Sequence, residues 1–314
     1  MGNDNSPETL LSALNESELG DSIELVVFGL PEYKALSRFP YVEATEFISM
    51  EDHPLNALRR KKGASLSVGL RKLKSKKIDA FISAGNTGSL VTGAKITLGT
   101  LPGILRPALL ARMPTKKEPV IVLDVGANVQ VKASHLVQFA LLGTAFAKSQ
   151  GIQKPIVGLL NIGSEAGKGT SELRLAYQEL QMFPKAPFQF AGNVEGTSVF
   201  NGDVNVLITD GFTGNVFLKT GEGIASLILD RFGTLLPAGE YKRLAPQIRD
   251  LSSHLHYAEY PGAILAGVQG YVIKCHGYST PKAFINAVRG AAQLVKSDLL
   301  KEIKKQIGAN RKHP

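Results

Sequence analysis

Short runs of β-branched and aliphatic residues alternate with helix-patterned stretches along nearly the whole chain, and most runs stop in turns rich in glycine and asparagine. Few architectures accept that alternation. Strands that are each followed by a helix build βα units, whose helices cover both faces of a mostly parallel sheet in a three-layer α/β/α arrangement. The pattern predicts strands over Ile23–Phe28, Ile78–Ser83, Val120–Asp124, Ile156–Leu160, Val204–Thr209 and Tyr271–Cys275, with weaker ones near Ala108–Arg112 and Phe188–Ala191. Helices are expected over Leu55–Lys76, Thr87–Leu98, Ser134–Gln150, Ser171–Gln181, Gly214–Leu235 and Pro281–Ile307, the last as one closing helix. The 314 residues are read as one α/β domain spanning 1–314, because sheets of this class exceed the ~150-residue average as single units. A mixed apolar and basic segment over about 230–262 breaks the rhythm and is read as a helical arm for dimer or surface contact. No internal repeat is evident.

Charge is distributed unevenly. The net value is +9, yet residues 1–58 hold eleven acids against two bases, and the other 256 residues hold 34 bases against 16 acids. The densest stretch runs from Arg59 to Lys77, where nine of nineteen residues are basic, Arg59, Arg60, Arg71 and Lys72 among them, and none is acidic. Leu66, Leu70 and Leu73 fall at i, i+4 and i+7, giving a helix with an apolar stripe and a basic outer face. Such a face is either a solvated surface or a dock for an acidic macromolecule: a carrier protein, an anionic membrane or nucleic acid. The absence of Trp, the 7% aromatic content and the lack of a recognition module argue against nucleic acid.

No stretch approaches the ~18 uninterrupted apolar residues of a spanning helix, and the start MGNDNSPETL has no signal-peptide pattern, so a cytosolic or peripherally bound protein is expected. The single cysteine, Cys275, cannot form an internal disulfide and reads as a buried strand residue in its VIKC setting.

The turns carry the chemistry. Ile78–Ser83 runs into Ala84-Gly85-Asn86-Thr87-Gly88, Val120–Asp124 into Val125-Gly126-Ala127-Asn128, and Ile156–Leu160 into Asn161 through Thr170. Val204–Thr209 meets Asp210-Gly211-Phe212-Thr213-Gly214-Asn215, and Tyr271–Cys275 meets His276-Gly277-Tyr278-Ser279. Glycines let backbone amides approach a ligand, and a helix N-terminus supplies free donors and partial positive charge, which suits phosphate. In an open parallel sheet the carboxyl ends share one edge, so all five turns are expected to converge on one anion-binding cleft.

Rival motifs fail in detail. Gly163 to Thr170 is one residue short of a nucleotide-binding phosphate loop and has Gly169 inserted after Lys168. Gly221-Glu222-Gly223 lacks the third small residue of a dinucleotide fingerprint, no GxSxG occurs, and His254 with His256 has no ligand-spaced partners for zinc. What remains is an enzyme that binds anions and polarises a carbonyl without a covalent nucleophile, a metal or another cofactor.

The segments SAGNTGSL at 83–90, LDVGANVQVKASHLVQFA at 123–140, LLNIGSEAGKGT at 159–170, GNVEG at 192–196, TDGFTGNVFLKTGEG at 209–223 and EYPGAILAGVQGYVIKCHGYS at 259–279 resemble the bacterial phosphate acyltransferase family. ISMEDHPLNALRRKKGAS at 48–65 does so too, and the match runs in order through almost the whole chain. The resemblance implies a homodimer with a fold akin to phosphotransacetylases and isopropylmalate dehydrogenases. It implies conversion of an acyl carrier protein thioester and inorganic phosphate into acyl phosphate for phospholipid synthesis, with peripheral association at the inner membrane face. The nearest alternative is a phosphotransacetylase using a coenzyme A thioester. Within this reading Gly85, Asn86, Thr87 and Gly88 cradle phosphate, and Asn128 and Asn215 donate to phosphate or to the developing oxyanion. Lys168, Lys274 and His276 match family positions and neutralise charge or donate a proton. Arg59, Arg60, Arg71 and Lys72 dock the carrier protein, and Leu235 and Leu236 touch membrane. Two departures stand out. The family opens with a short strand leading into an MGGD-like loop, whereas Met1-Gly2-Asn3-Asp4 stands at that loop with no strand before it, which is read as a late start or a truncation. Cys275 stands where the family has a small residue.

Overall fold

The computed structural model describes residues 2, 5–255, 262–277 and 279–309. In chain order the elements are α1 (Pro7–Glu16), β1 (Val27–Gly29), β2 (Tyr41–Glu43), α2 (Pro54–Arg60), α3 (Ser65–Lys74), β3 (Ala80–Ser83), α4 (Thr87–Leu98), β4 (Ala108–Met113), β5 (Val120–Leu123) and α5 (Ala133–Ser149). They continue with β6 (Ile156–Asn161), α6 (Ser171–Gln181), β7 (Gln189–Glu195), α7 (Gly196–Val199), β8 (Val206–Ile208), α8 (Gly211–Leu235), α9 (Ala238–Leu255), β9 (Ala263–Ala266), β10 (Tyr271–Lys274), α10 (Pro281–Lys296) and α11 (Leu299–Ala309).

Eight strands form one sheet in the order β3-β10-β9-β4-β5-β8-β6-β7, while β1 and β2 pair separately. Two apolar clusters lie on its faces. One joins the sheet to α5, α6, α10 and α11 through residues such as Phe139, Leu180, Ala287 and Ile303. The other joins it to α2, α3, α4 and α8 through Ala57, Leu70, Leu90 and Leu218. The expected three layers are therefore present.

The sheet is mostly parallel, as expected, but its direction reverses in the middle. β3 and β10 are parallel, but β9 is antiparallel to both β10 and β4, and β4 is antiparallel to β5. β5, β8, β6 and β7 then run parallel to one another. An odd number of reversals separates the two parallel blocks, so β3 and β10 end at one edge of the sheet and β5, β8 and β6 end at the opposite edge. The cause is connection length. Six residues, 114–119, join β4 to β5 and four, 267–270, join β9 to β10. A parallel crossover needs roughly a dozen residues or more, so these links permit only hairpins.

Other boundaries shift for local reasons. The helix expected over Leu55–Lys76 breaks at residues 61–64, where Ala64 bridges to Glu46 and a Cβ on Gly63 would lie 2.0 Å from Thr45 Oγ1. The closing helix is likewise two helices, interrupted at Asp298, whose φ is 48°. α8 begins at Gly211, three residues earlier than expected, because Asp210 caps it by accepting from Thr213 N at 2.8 Å. The arm is a helical hairpin of α8 and α9, of which residues 256–261 lie outside the described residues.

Candidate active site

At the β3 and β10 end, the turn after β3 opens α4. Asn86 is buried and caps that helix, its Oδ1 accepting from Ser89 N at 2.9 Å. Its Nδ2 donates to the carbonyls of Ser49 (3.3 Å), Met50 (2.9 Å) and Asp52 (3.2 Å). The side chain is thus committed to holding the 49–52 loop against the turn, and the amides of Thr87 and Gly88 remain as the donors that start α4. Gly88 has no room for a side chain, since a Cβ would lie 2.6 Å from the Pro54 ring at the start of α2. The loop is locked further by Asp52, which accepts from Ser49 N at 2.8 Å and pairs with Lys61 at 2.5 Å. The hydrogen bond from Lys61 holds the Asp52 carboxyl below the usual range. Lys274 closes β10, is buried, and sets its Nζ against the Cys275 carbonyl, while His276 is exposed one turn further on. Burial pushes the Cys275 thiol up to about 12, as its strand setting implied.

Of the basic helices, α2 starts at this end, where Pro54 meets Gly88, whereas α3 runs away from it, its Leu73 packing against Gly270 ahead of β10. Arg59, Arg60, Arg71 and Lys72 are exposed on α2 and α3. Arg71 Nη1 donates to Lys62 O at 2.8 Å, which fixes one helix to the link before it.

At the opposite edge, two turns dock directly. Asp124, with no solvent exposure, accepts from Leu109 N (2.9 Å), Gly126 N (3.1 Å) and Ala127 N (2.9 Å) on Oδ1. On Oδ2 it accepts from Asn128 N (2.7 Å) and Asn128 Nδ2 (2.8 Å). Burial raises its pKa, and these donors oppose the rise. Asn128 Nδ2 donates also to Pro107 O at 2.8 Å, so both its hydrogens are used inside the protein. The start of α8 seats on this turn: Gly211 N donates to Asn128 O at 2.8 Å and Asn215 Nδ2 to Val125 O at 3.0 Å. A Cβ on Gly214 would lie 1.9 Å from Asp124 O. Beside it, the turn after β6 is closed by Asn161 Nδ2 donating to Lys168 O at 3.1 Å and Asn193 Nδ2 donating to Glu165 O at 2.8 Å. Lys168 is half-exposed, 3.7 Å from Glu165.

The five turns therefore do not converge, which corrects the expectation from an open parallel sheet. Lys274 is level with Ser83 and Ala263, and Val122 is level with Ala111 and Leu207. With about 3.3 Å per residue along strands and about 4.8 Å between them, Gly85 and Val125 are on the order of 25 Å apart. A phosphate ion spans a fraction of that. Gly85, Asn86, Thr87, Gly88, Lys274 and His276 form one group, and Asn128, Lys168 and Asn215 form another. Asn86 and Asn128 emerge as scaffold residues, since their side-chain donors are turned inward. Asp124, which organises the second group, looks only like a strand end in the sequence; its place before VGAN, a turn whose successive amides need an acceptor, is the available signal.

The arm carries Leu235, which is 72% exposed, and Leu236, which is half-buried. Ile224, Leu227, Ile228 and Phe232 extend the same apolar exposure along α8. No helix among the described residues is long and apolar enough to cross a membrane.

A family model described as fatty acid synthesis protein matches residues 1–302. Phosphate acyltransferase from Desulfitobacterium hafniense strain Y51 is 40% identical over 323 aligned positions, covering 98% of this chain and 95% of that one. The phosphate acyltransferases of Thermoanaerobacter pseudethanolicus (98% and 95% covered) and Chlamydia caviae (96% and 96%) are each 39% identical. Among solved structures, a phosphotransacetylase from Streptococcus pyogenes superposes with a TM-score of 0.61 at 16% identity, covering 93% of this chain and 92% of that one. The EutD phosphotransacetylase of Staphylococcus aureus gives 0.58 at 17% identity, covering 92% and 91%. These two likenesses establish the fold.

Proposed function

This chain belongs to the fatty acid synthesis protein family, and from that premise we propose that it transfers a fatty acyl group from acyl carrier protein to inorganic phosphate at the β3 and β10 edge of the sheet. It is an acyltransferase of lipid synthesis; the full-length match to phosphate acyltransferases carries this reading.

Electrostatics favour that edge. Phosphate at neutral pH is a mixture of monoanion and dianion, and the opposite edge presents buried Asp124 together with Asp210 and Glu165. The β3 end offers the amides of Thr87 and Gly88 at the start of a 12-residue helix, with Lys274 and His276 beside them and Arg59 and Arg60 on the adjoining helix. A phosphate oxygen attacks the thioester carbonyl, forming a C–O bond as the C–S bond breaks, and the pantetheine sulfur leaves as thiolate. A thiol of pKa ~8.5 leaves without obligatory protonation, so positioning and charge neutralisation suffice and no nucleophilic triad is required. Asn86 acts here as a positioning residue. Asn128, Lys168 and Asn215 shape the other edge.

Phosphate-dependent release of free carrier thiol tests the activity. Lys274→Met is expected to abolish it while Lys168→Met retains it; the reverse result transfers the phosphate site to the other edge. Arg59→Glu with Arg60→Glu is expected to raise KM for the carrier protein with kcat unchanged. The solved structures of like fold are phosphotransacetylases, so acyl carrier protein and coenzyme A thioesters are compared at equal concentration; preference for the latter replaces the donor. The exposed face of α8 suits a homodimer contact and its end a membrane contact. Liposome co-sedimentation unchanged by Leu235→Glu and Leu236→Glu removes the membrane from this account.

A further inference from the structure

The first turn of α5 stands at the carboxyl edge of β5, at the opposite end of the sheet from the cradle that opens α4. The loop before β4 is clamped along it. Leu105 N donates to Gln138 Oε1 at 2.9 Å, Gln138 Nε2 donates to Gly103 O at 3.0 Å, and Arg106 Nη1 reaches Gln130 O at 3.1 Å. Arg106 is thereby held beside the turn that ends in Lys132. Lys95, in the last turn of α4, comes near enough to act on the His135 ring together with Arg106 and Lys132. All three cations are exposed, and none of them forms an ion pair among the described residues.

His135 sits among them and is only 7% exposed. Its Nδ1 accepts from Lys132 N at 3.0 Å, which uses the lone pair of the ring and leaves the proton of the neutral imidazole on Nε2. That N–H has no acceptor among the described residues. Burial, followed by Arg106, Lys132 and Lys95, holds the ring neutral by lowering its pKa, and Glu172 opposes them. Glu172 is already engaged, since its Oε2 accepts from Ala133 N at 2.7 Å. Three cations against one carboxylate leave two positive charges unbalanced around a buried donor with nothing to bind.

We propose that this cluster is a second anion site, for a phosphate group as its dianion, bound by Arg106, Lys132 and the Nε2–H of His135 at the first turn of α5. The donors suit a tetrahedral oxyanion. The Arg106 guanidinium, oriented by Gln130, has a fork left to grip two oxygens, the Lys132 ammonium supplies a point charge, and the imidazole N–H takes a further oxygen. The 17-residue helix adds the partial positive charge of its N-terminus. A carboxylate brings one negative charge where two are unbalanced, so it fits less well. The site stands apart from the cradle of Gly85 to Gly88 and takes no part in the acyl transfer proposed there.

The test follows the His135 ring by nitrogen NMR, its signal assigned by loss in His135→Gln, as inorganic phosphate, methyl phosphate or sodium chloride is added at equal ionic strength. A phosphate is expected to shift Nε2 saturably and to raise the pH at which the ring titrates, because a bound anion offsets the surrounding cations. Arg106→Gln and Lys132→Gln, both at exposed positions, are each expected to weaken this response about tenfold or more. Lys154→Gln, an exposed change beyond the far end of α5, leaves it unaltered. The same response in Lys274→Met separates the site from the β3 edge. Response to inorganic phosphate alone identifies the free ion as ligand, tighter binding of methyl phosphate identifies a phosphomonoester, and equal binding supports the group they share. A shift matched by chloride, a response kept in both Arg106→Gln and Lys132→Gln, or one lost in Lys274→Met overturns the proposal.

Discussion

Replacing Asp124 probes how the two turns at the β5 edge are held together. In Asp124→Ala, five donors lose their acceptor: the amides of Leu109, Gly126, Ala127 and Asn128 and the Asn128 Nδ2. Hydrogen bonds to a charged acceptor contribute about 1.5–3 kcal/mol each, but removal also relieves the desolvation of a fully buried carboxylate. The second effect cancels much of the first. A net loss of about 3–5 kcal/mol is expected, the range for stripping one partner from a buried charged network. Asp124→Asn keeps one oxygen for the three Oδ1 donors but points an amide NH2 at both Asn128 N and Asn128 Nδ2, 2.7 and 2.8 Å from the lost oxygen. Leaving these two donors unpaired costs about 1–3 kcal/mol net of the relieved carboxylate desolvation. In a chain of this size roughly 2 °C of Tm accompanies each kcal/mol, so calorimetry should show the alanine variant falling by roughly 6–10 °C and the asparagine variant by less. Adding Asn128→Ala to Asp124→Ala should cost less than the sum of the two single changes, with about 0.5–3 kcal/mol of coupling. An alanine variant that melts within 2 °C of the parent, or strict additivity with Asn128→Ala, would refute the assignment.

His135 is buried with Nδ1 accepting from Lys132 N at 3.0 Å, and burial followed by nearby Arg106 and Lys132 lowers its pKa. A lowered folded-state pKa gives stability that is present above the unfolded value of about 6.5 and is lost as pH falls; Tm of the parent should drop below that pH more steeply than Tm of His135→Gln. Cys275 should resist a thiol reagent at pH 8 in the native protein and react at once in denaturant, because its folded pKa lies at about 12; rapid native labelling would contradict its burial. A Cβ on Gly69 of α3 would lie 2.0 Å from the Phe81 ring. Gly69→Ala adds about 1 kcal/mol of helix propensity against about 1–3 kcal/mol of overpacking, so a net destabilisation is expected in urea titration.

Most of the elements were legible because their causes are local. Thr170 and Thr280 announce the helices they cap, and Val120 to Leu123 is an apolar run buried throughout. Among the elements that escaped, β2, β9 and α7 are too short to show a period, whereas α1 carries a Ser6 cap and the buried Leu10, Leu11 and Leu14. Of the candidate site, the residue types were legible and their grouping was not. The glycine turns look like one set in the sequence, although the six-residue link from β4 to β5 excludes a parallel pairing there.

The sequence by itself determined which segments become strands and helices, where turns expose backbone amides, and which family the chain resembles, since each depends on neighbours a few residues apart. The tertiary structure alone decided that the sheet reverses direction between its two halves, that Asn86 and Asn128 face inward, and that a cavity lies between β3 and β1. A period of two residues reads the same whichever way a strand runs. Only pairing across the sheet gives a strand its direction, and with it the edge at which its turn meets solvent.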